Sequence, residues 1–316
     1  MLKTIKPSAL KKGDVIGIVA PASSPNPLEK IDRGVRYLES LGYRVELGKH
    51  VRDVRGDLAG TDEARAEDFN AMVRRKDIRA IFAVRGGYGT PRILDRIDYA
   101  ALRRNPKIVV GYSDLTALQL AIFKRTGLLT FSGPMVAVEM QGEIDPFTEE
   151  NFWRMLTSSK RVGQLKNPID VPLEVLYPGV ARGVLIGGNL SLLVSLLGTR
   201  YLPTLSDSVL VIEEVEEEPY RVDRMFAQLR HARVFSAAKG ILLGAFTDCV
   251  PHDPQTPHLA LNEIFADYFS TLGKPVIANL AYGHIPRKLT LPLGAQVQIR
   301  TRRKVAVEIL EPVVSG

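Results

Sequence analysis

The first half of the chain alternates short apolar runs with segments of helical periodicity, and this alternation limits the fold more than any other feature. Residues 27–41 carry apolar side chains at helical spacing, and Thr61 begins a second helical segment with a capping hydroxyl. The apolar, strand-like runs cover residues 15–20, 43–47, 78–84 and 108–110. Short strands that alternate with helices of this length predict a parallel, doubly wound α/β sheet.

The alternation stops at residues 140–182, which are mixed polar sequence containing four prolines. Near the end of the chain, residues 296–300 and 305–310 alternate apolar and polar side chains with period two, which predicts an antiparallel pair of strands. We therefore predict three segments: an N-terminal α/β domain over residues 1–145, a linker over 146–181 and a C-terminal domain over 182–316.

Composition and charge argue against several classes of protein. The 42 basic and 35 acidic residues give a net charge of +7, but the basic residues are dispersed and no aromatic ladder accompanies them. We therefore predict a solvated basic surface and no nucleic-acid partner. No stretch approaches the ~20 apolar residues of a membrane span, and the N-terminal residues lack the apolar core of a signal peptide. The single cysteine, Cys249, excludes an internal disulfide, so we expect a cytoplasmic protein.

The segment Gly-Tyr-Ser-Asp at residues 111–114 is the first candidate for chemistry. It follows an apolar strand and leads directly into a helix, which is the layout of a nucleophile elbow with Ser113 at its tip. The helix N-terminus would aim N–H groups at a developing oxyanion. Leu115 replaces the second glycine of the usual Gly-x-Ser-x-Gly pattern. The alternative is that Ser113 caps the helix, which is a common role for serine.

A glycine-rich loop at residues 85–89 follows another strong strand. Its glycines permit positive φ and the close approach of another group. The N–H of Gly87 is a candidate to complete an oxyanion hole with the N–H of Asp114. A phosphate cradle is the alternative, but the loop matches neither the dinucleotide fingerprint nor the P-loop pattern.

A serine nucleophile needs a base, and the chain has five histidines. His284 follows the apolar segment 276–280, so it would be held on a loop beside a strand end; a purely structural histidine is the alternative. His252 and His258 lie in a proline-rich loop that is more typical of a surface than of a metal site. We therefore predict no metal.

The base in turn needs an acceptor for its second ring nitrogen. Glu213 ends the apolar run 209–212, where a carboxylate can be partly buried. The glutamates that follow it weaken this indication, because an acidic first turn stabilises a helix at 219–231 equally well. Cys249 is a poor rival nucleophile, since it follows an apolar strand and lacks an obvious adjacent base.

Taken together, these segments resemble the LD-carboxypeptidase family, the serine peptidases that include muramoyltetrapeptide carboxypeptidases and microcin-immunity peptidases. Each segment alone is weakly diagnostic, but they occur in the family's order over most of the chain. The matching segments are residues 19–23, 85–89, 111–114, 187–190, 212–215 with 219–224, 246–249 and 283–284.

The resemblance implies a catalytic triad of Ser113, Glu213 and His284, with the N–H groups of Gly87 and Asp114 as the oxyanion hole. Aspartate is usual in the family at position 214, where this chain has glutamate, so the choice between Glu213 and its neighbour is worth testing. The implied fold is a flavodoxin-like or class I glutamine-amidotransferase-like domain followed by an α/β domain with a small β-barrel-like sheet. The site would lie between them in a homodimer that needs no cofactor.

The resemblance also implies a substrate, a murein tetrapeptide that loses its terminal D-alanine by cleavage between an L-centre and a D-residue. The net charge of +7 is compatible with anionic muropeptides. The nearest alternative is a microcin-type peptidase that cleaves aminoacyl- or peptidyl-nucleotide conjugates. Such enzymes tend to carry an aromatic recognition loop, whereas Trp153, the sole tryptophan, lies in the predicted linker. A non-catalytic ligand-binding α/β protein is the alternative of another class.

Overall fold

A computed structural model describes residues 3–253, 255–302 and 304–316 of the chain. Its strands, in chain order, are β1 (Val15–Val19), β2 (Arg44–Leu47), β3 (Ile78–Ala83), β4 (Ile108–Gly111), β5 (Thr130–Ser132), β6 (Gly163–Leu165), β7 (Glu174–Tyr177), β8 (Val180–Asn189), β9 (Ser208–Val215), β10 (Gly240–Thr247), β11 (Val276–Ala278), β12 (Leu291–Leu293), β13 (Gln296–Arg300) and β14 (Ala306–Ile309). Its α-helices are α1 (Glu29–Ser40), α2 (Asp62–Arg74), α3 (Tyr99–Arg104), α4 (Leu115–Thr126), α5 (Pro146–Thr157), α6 (Leu190–Ser195), α7 (Pro219–His231), α8 (Val234–Ala237) and α9 (Leu261–Phe269).

The alternating first half of the chain supplies most of a sheet with the strand order β12-β5-β4-β3-β1-β2. Strands β1 to β5 run parallel, and the edge strand β12 is antiparallel to β5. The order β2-β1-β3-β4-β5 is that of flavodoxin-like doubly wound sheets, in which ligands collect beyond the carboxyl ends of the strands. The flavodoxin-like parallel sheet predicted from the sequence is therefore confirmed.

The second half forms a larger mixed sheet with the order β6-β14-β13-β8-β9-β10-β11-β7. Its central strands β8 to β11 are parallel, and the flanking strands are antiparallel. The predicted antiparallel pair near the end of the chain is confirmed as β13 and β14. The expected barrel-like sheet is wrong, because within the described residues β6 and β7 are separate edges of an open sheet. The sheet stays open because, among the described strands, β6 pairs with β14 and β7 pairs with β11, and the two edge strands do not pair with each other.

Helix α4, which begins just after Ser113, is the element that joins the two sheets. It contacts β4 and β5 of the first sheet and β8 and α6 of the second half. Every side chain from 115 to 122 is buried, as expected for a helix that has neighbours on all sides. The N-terminus of α4 therefore lies in the protein interior, where the two halves meet.

The segment predicted as a linker contains regular structure that belongs to both sheets. Helix α5 packs against the first sheet, where the rings of Phe152 and Phe82 lie 5.7 Å apart in an edge-to-face contact. Strands β6 and β7 form the two edges of the second sheet, and β12 joins the first sheet from the far end of the chain. The division into residues 1–145, 146–181 and 182–316 stays a prediction.

Two glycines at the end of β8 let this strand approach its neighbours closely. Gly187 has φ +134°, and a Cβ at this position would fall on the carbonyl oxygen of Val211 in β9. Gly188 has φ +138°, and its Cβ would lie 2.5 Å from Thr116 Oγ1 in α4. The hydroxyl of Thr116 accepts a hydrogen bond from the N–H of Asn189 at 3.1 Å. The absence of side chains at these glycines thus sets the distance between α4 and the second sheet.

We expect Gly187→Ala to lower the free energy of unfolding by about 2 kcal/mol or more, because alanine is strained at positive φ and its Cβ meets a backbone atom that cannot rotate away. The matched control is Gly142→Ala, where the added Cβ has open space around it and φ is not positive. Urea unfolding followed by circular dichroism measures both. Equal midpoints for the two variants would contradict this explanation of the β8 glycines.

Candidate active site

Ser113 lies in the short turn between the end of β4 and the start of α4. Its φ is +63°, a left-handed conformation that costs a non-glycine residue roughly 1–3 kcal/mol. Within the described residues its side chain makes no capping hydrogen bond; Asp114 is the N-cap residue of α4. The helix-cap alternative for Ser113 is therefore wrong. The strained strand-turn-helix expected of a nucleophile elbow is present.

Leu115 explains why the elbow lacks the second glycine of the usual pattern. This side chain is 1% exposed and packs over Gly111, where a Cβ would lie 2.6 Å from Leu115 Cγ. The close approach of helix and strand is thus provided by Gly111 alone. One small residue on the strand is enough to fit a large residue on the helix.

The glycine-rich loop lies directly against the elbow. A Cβ on Gly86 would lie 2.8 Å from Ser113 Cβ and 3.3 Å from the backbone nitrogen of Asp114. Gly87 follows with φ +106° and is exposed. Within the described part of the chain, the N–H groups of Gly87 and Asp114 donate to no protein acceptor. Two unpaired N–H groups beside a serine oxygen are able to bind an oxyanion.

The carboxylate of Asp114 holds the glycine loop in place, a role that the sequence did not indicate. It accepts hydrogen bonds from the N–H groups of Gly89 at 3.2 Å and Thr90 at 2.8 Å. Burial raises the pKa of Asp114, while these hydrogen bonds act in the opposite direction. The residue therefore presents its backbone to the site and its side chain to the loop, so that both proposed oxyanion donors are fixed relative to each other.

Glu213 and His284, which are 71 positions apart, are brought into direct contact. His284 Nδ1 lies 2.7 Å from Glu213 Oε2. The glutamate side chain is 1% exposed and the histidine side chain 19% exposed. A carboxylate oxygen accepts hydrogen bonds, so the tautomer that fits this contact carries the proton on Nδ1 and leaves Nε2 free.

Glycines make room for the buried carboxylate. A Cβ on Gly283 would lie 2.8 Å from Glu213 Oε2, and one on Gly244 would lie 3.2 Å from Glu213 Cβ. The second carboxylate oxygen, Oε1, is buried and has no hydrogen-bond partner among the described residues. A buried carboxylate with so little hydrogen bonding stabilises a positive charge on the adjacent imidazole more strongly than a solvated one does.

Glu214 points to the opposite face of β9, as alternation along a strand requires. Its carboxylate accepts hydrogen bonds from the Asn189 side chain at 2.6 Å, the Ser191 N–H at 2.8 Å and the Val215 N–H at 2.9 Å. Burial raises the pKa of Glu214, and the three donors oppose that rise. Of the two neighbouring glutamates, only Glu213 contacts the histidine, and Glu214 fastens the turn between β8 and α6.

Tyr112 links the nucleophile candidate to the histidine. It immediately precedes Ser113, and its ring meets the His284 ring edge-on with centroids 5.0 Å apart. Among the described residues no hydrogen bond joins the serine hydroxyl to the imidazole. Catalytic hydrogen bonds are often long before substrate binds and shorten in the complex. The structure thus brings Glu213 and His284 into contact and packs the ring of Tyr112, the residue before Ser113, against the histidine.

A buried ion pair holds the Tyr112 ring. The phenol donates to Glu139 Oε1 at 2.8 Å, and the same oxygen is 2.5 Å from Lys288 Nζ. The Lys288 ammonium also lies 4.0 Å from the centroid of the Tyr112 ring, a cation–π contact. The sequence did not indicate this group. Glu139 and Lys288 each lie close to apolar residues in the sequence. No local pattern shows that these two residues, 149 positions apart, form an ion pair.

The described residues contain no helix long and apolar enough to cross a membrane. They also contain no group of three or more His, Cys, Asp or Glu side chains placed to hold a metal ion. Of the two histidines considered for a metal site, His258 has its Nδ1 atom 2.9 Å from the carbonyl oxygen of Thr256. That contact occupies the nitrogen with a neighbouring backbone atom.

Both halves of the chain match a known protein family. Residues 16–133 match the LD-carboxypeptidase N-terminal domain and residues 182–299 match the LD-carboxypeptidase C-terminal domain. A probable murein peptide carboxypeptidase of Bacillus subtilis is 39% identical over 305 residues, covering 96% of this chain and 93% of that protein. A solved muramoyltetrapeptide carboxypeptidase from Oxalobacter formigenes has a TM-score of 0.83 at 30% identity, covering 96% of this chain and 100% of that one.

A second solved structure is a microcin C7 self-immunity protein in complex with aspartyl sulfamoyl adenosine. It has a TM-score of 0.90 at 27% identity, covering 98% of this chain and 100% of that one. The two solved structures therefore share one fold with this chain over nearly its full length, although their names point to different substrates.

Cys249, the rival nucleophile, lies just beyond β10 and is 3% exposed. Burial raises the pKa of its thiol to about 11, and nearby glutamates add to the effect. Since the thiolate is the nucleophilic form, almost none of this cysteine is reactive at neutral pH. The sequence-based expectation that Cys249 is a poor nucleophile agrees with this environment.

We expect native protein at neutral pH to resist alkylation of Cys249 by iodoacetamide, because the thiol is both buried and protonated. Intact-mass spectrometry before and after unfolding in guanidinium chloride measures the labelling. The unfolded chain is the control and should take up one label rapidly. Rapid labelling of the native protein would show that Cys249 is exposed or activated.

Proposed function

We propose that this chain, which belongs to the LD-carboxypeptidase family, hydrolyses the amide between an L-centre and a terminal D-amino acid through Ser113, Glu213 and His284. The observation that carries the proposal is the 2.7 Å contact between His284 and a buried glutamate, with the histidine ring packed on the residue that precedes a serine held at φ +63°. The names of the murein peptide relatives support D-alanine of a murein tetrapeptide as the residue released.

The first step forms the bond between Ser113 Oγ and the scissile carbonyl carbon. His284 Nε2 takes the serine proton, and Glu213 holds the Nδ1 tautomer and stabilises the cationic ring that results. A positive φ at the tip of a strand-turn-helix is the backbone conformation by which a nucleophile elbow exposes its serine hydroxyl, and Ser113 has it. The strain is therefore part of the arrangement that exposes the nucleophile.

The tetrahedral intermediate places a negative charge on the former carbonyl oxygen. The unpaired N–H groups of Gly87 and Asp114 are the proposed donors, each typically worth about 3–4 kcal/mol of transition-state stabilisation. The positive end of α4 lies at the same point, because the helix begins at Leu115. The intermediate collapses when the C–N bond breaks and His284 returns its proton to the leaving amine. Water then releases the acyl group from Ser113 by the same route in reverse.

A nucleotide-conjugate substrate is less well supported by the aromatic residues of this chain. Trp153 stacks on Tyr43 at 5.1 Å between centroids and donates its indole N–H to Tyr37 at 2.8 Å. It is thus part of the packing of α5 against the first sheet and not a platform for a base at the site. Because the microcin C7 self-immunity protein shares the fold, a nucleotide conjugate is one of the substrates to compare with the murein tetrapeptide.

A non-catalytic binding protein would have no use for a histidine whose Nδ1 is held by a buried carboxylate close to a strained serine turn. Residues in sparsely populated conformations persist where the surrounding structure enforces them, and they cluster at functional sites. We further propose that the enzyme acts in the cytoplasm as a homodimer, on the strength of the family resemblance and the single buried cysteine.

We expect Ser113→Ala and Glu213→Gln each to lower kcat by about 10⁴-fold, the first by removing the nucleophile and the second by losing the tautomer that makes His284 a base. Glu214→Gln is the matched control: it should lower thermal stability, because it disturbs the turn held by this side chain, but retain most of the activity. Mass spectrometry of a murein tetrapeptide digest measures the rates. A loss with Glu214→Gln equal to that with Glu213→Gln, at unchanged stability, would transfer the acid role to Glu214.

We expect the murein tetrapeptide ending in D-alanine to be cleaved with a kcat/KM roughly 100-fold or more above that for aspartyl sulfamoyl adenosine, because Trp153 is engaged with Tyr43 and Tyr37 and does not stack on a base. The tetrapeptide ending in L-alanine is the stereochemical control and should be a poor substrate. Chromatography of the products measures all three. Faster cleavage of the sulfamoyl adenosine would favour the microcin-type alternative.

A further inference from the structure

Arg85 is the first residue of the glycine-rich loop and lies two residues after the end of β3. Its side chain is half-buried, and its Nε lies 3.8 Å from the position that a Cβ on Gly87 would take. Burial and Glu139 raise the pKa of the Tyr112 phenol, and the charge of Arg85 lies close enough to oppose them. The Arg85 side chain therefore lies beside Gly87, one of the proposed oxyanion donors, and its charge acts on Tyr112, which precedes Ser113.

Arg85 differs from the other cations around the same loop and ring. Lys288 is paired with Glu139, and both Arg65 and Arg92 are paired with Asp62. Within the described residues, Arg85 has no ion pair and no side-chain hydrogen bond, and its Nε is buried without an acceptor. A desolvated donor without a partner is unfavourable unless a ligand supplies the acceptor.

A carboxypeptidase must recognise an anion at a fixed distance from the bond it cuts. The α-carboxylate of the terminal residue is separated from the scissile nitrogen by a single carbon atom. Its binding group therefore has to lie within a few ångströms of the oxyanion donors, on the leaving-group side of Ser113. Among the described cations that border this loop and ring, Arg85 alone has no acidic partner.

We propose that Arg85 binds the α-carboxylate of the terminal residue and so makes this site specific for a free peptide C-terminus. The inference rests on the proposed function and names the group that selects its substrate. An arginine offers two parallel N–H donors to a carboxylate, which fixes the direction of the terminal residue as well as its charge. A carboxylate bound there supplies an acceptor for the polar edge of the guanidinium.

The test compares two synthetic murein tetrapeptides that differ only at the C-terminus, one ending in D-alanine and the other in D-alaninamide. Wild-type enzyme should prefer the free acid by roughly 10- to 100-fold in kcat/KM, the range expected of a charge-assisted hydrogen bond. In Arg85→Met this preference should fall close to one, through loss of activity on the acid while cleavage of the amide is retained. Arg85→Lys should keep part of the preference, since lysine keeps the positive charge but lacks the two parallel N–H donors of arginine.

Arg96→Met is the matched control, because this exposed arginine is paired with Glu63 and should leave the preference at the wild-type value. Arg85→Gln is the second neutral variant if circular dichroism shows that the methionine variant is misfolded. An unchanged preference in the neutral variants would overturn the role of Arg85, and so would an equal loss on both peptides. If wild-type enzyme cleaves neither peptide, the proposed function is wrong and the role of Arg85 falls with it.

Discussion

The buried carboxylate of Glu213 is the constraint on which the arrangement of the site depends. A charge with 1% of its side chain exposed needs a partner, and His284 is the only described residue that hydrogen-bonds to it. A side chain at Gly283 would collide with that carboxylate, and one at Gly244 would collide with the carbonyl oxygen of Tyr282 and crowd Glu213 Cβ. The loop after β11 is thus bound to the end of β9, and the histidine has one tautomer and a restricted orientation.

The same site depends on how the two sheets meet. Helix α4 is buried along its first two turns and fits against Gly188, so the nucleophile turn and the Glu213 strand approach from opposite sides of one interface. Tyr112 completes this contact by packing on His284 while its phenol is held by the Glu139–Lys288 pair. A tyrosine that precedes the serine in sequence and packs on the histidine links the two halves of the molecule at the point where chemistry is proposed.

Local patterns in the sequence predicted the elements with local causes. The strands of the first sheet follow from apolar runs, the antiparallel β13 and β14 from period-two alternation, and the turn at Ser113 from the strand-turn-helix pattern. Features that depend on distant residues were not predictable from local patterns, and only the family resemblance named Glu213 and His284 together. Which glutamate faces the histidine depends on the register of β9, and the Glu139–Lys288 pair joins residues 149 positions apart. Whether the second sheet is open or closed depends on which strands pair at its edges, and no local sequence pattern determines that pairing.

The central claim is that Ser113 is a nucleophile activated by His284. Labelling with a fluorophosphonate, followed by peptide mass mapping, tests it most directly because the probe reacts only with a serine that has an operating base. The account predicts a single adduct on Ser113 in the wild-type protein, and labelling in His284→Ala that is slower by orders of magnitude. An adduct on another residue, or a Ser113 labelling rate unchanged by His284→Ala, would contradict it.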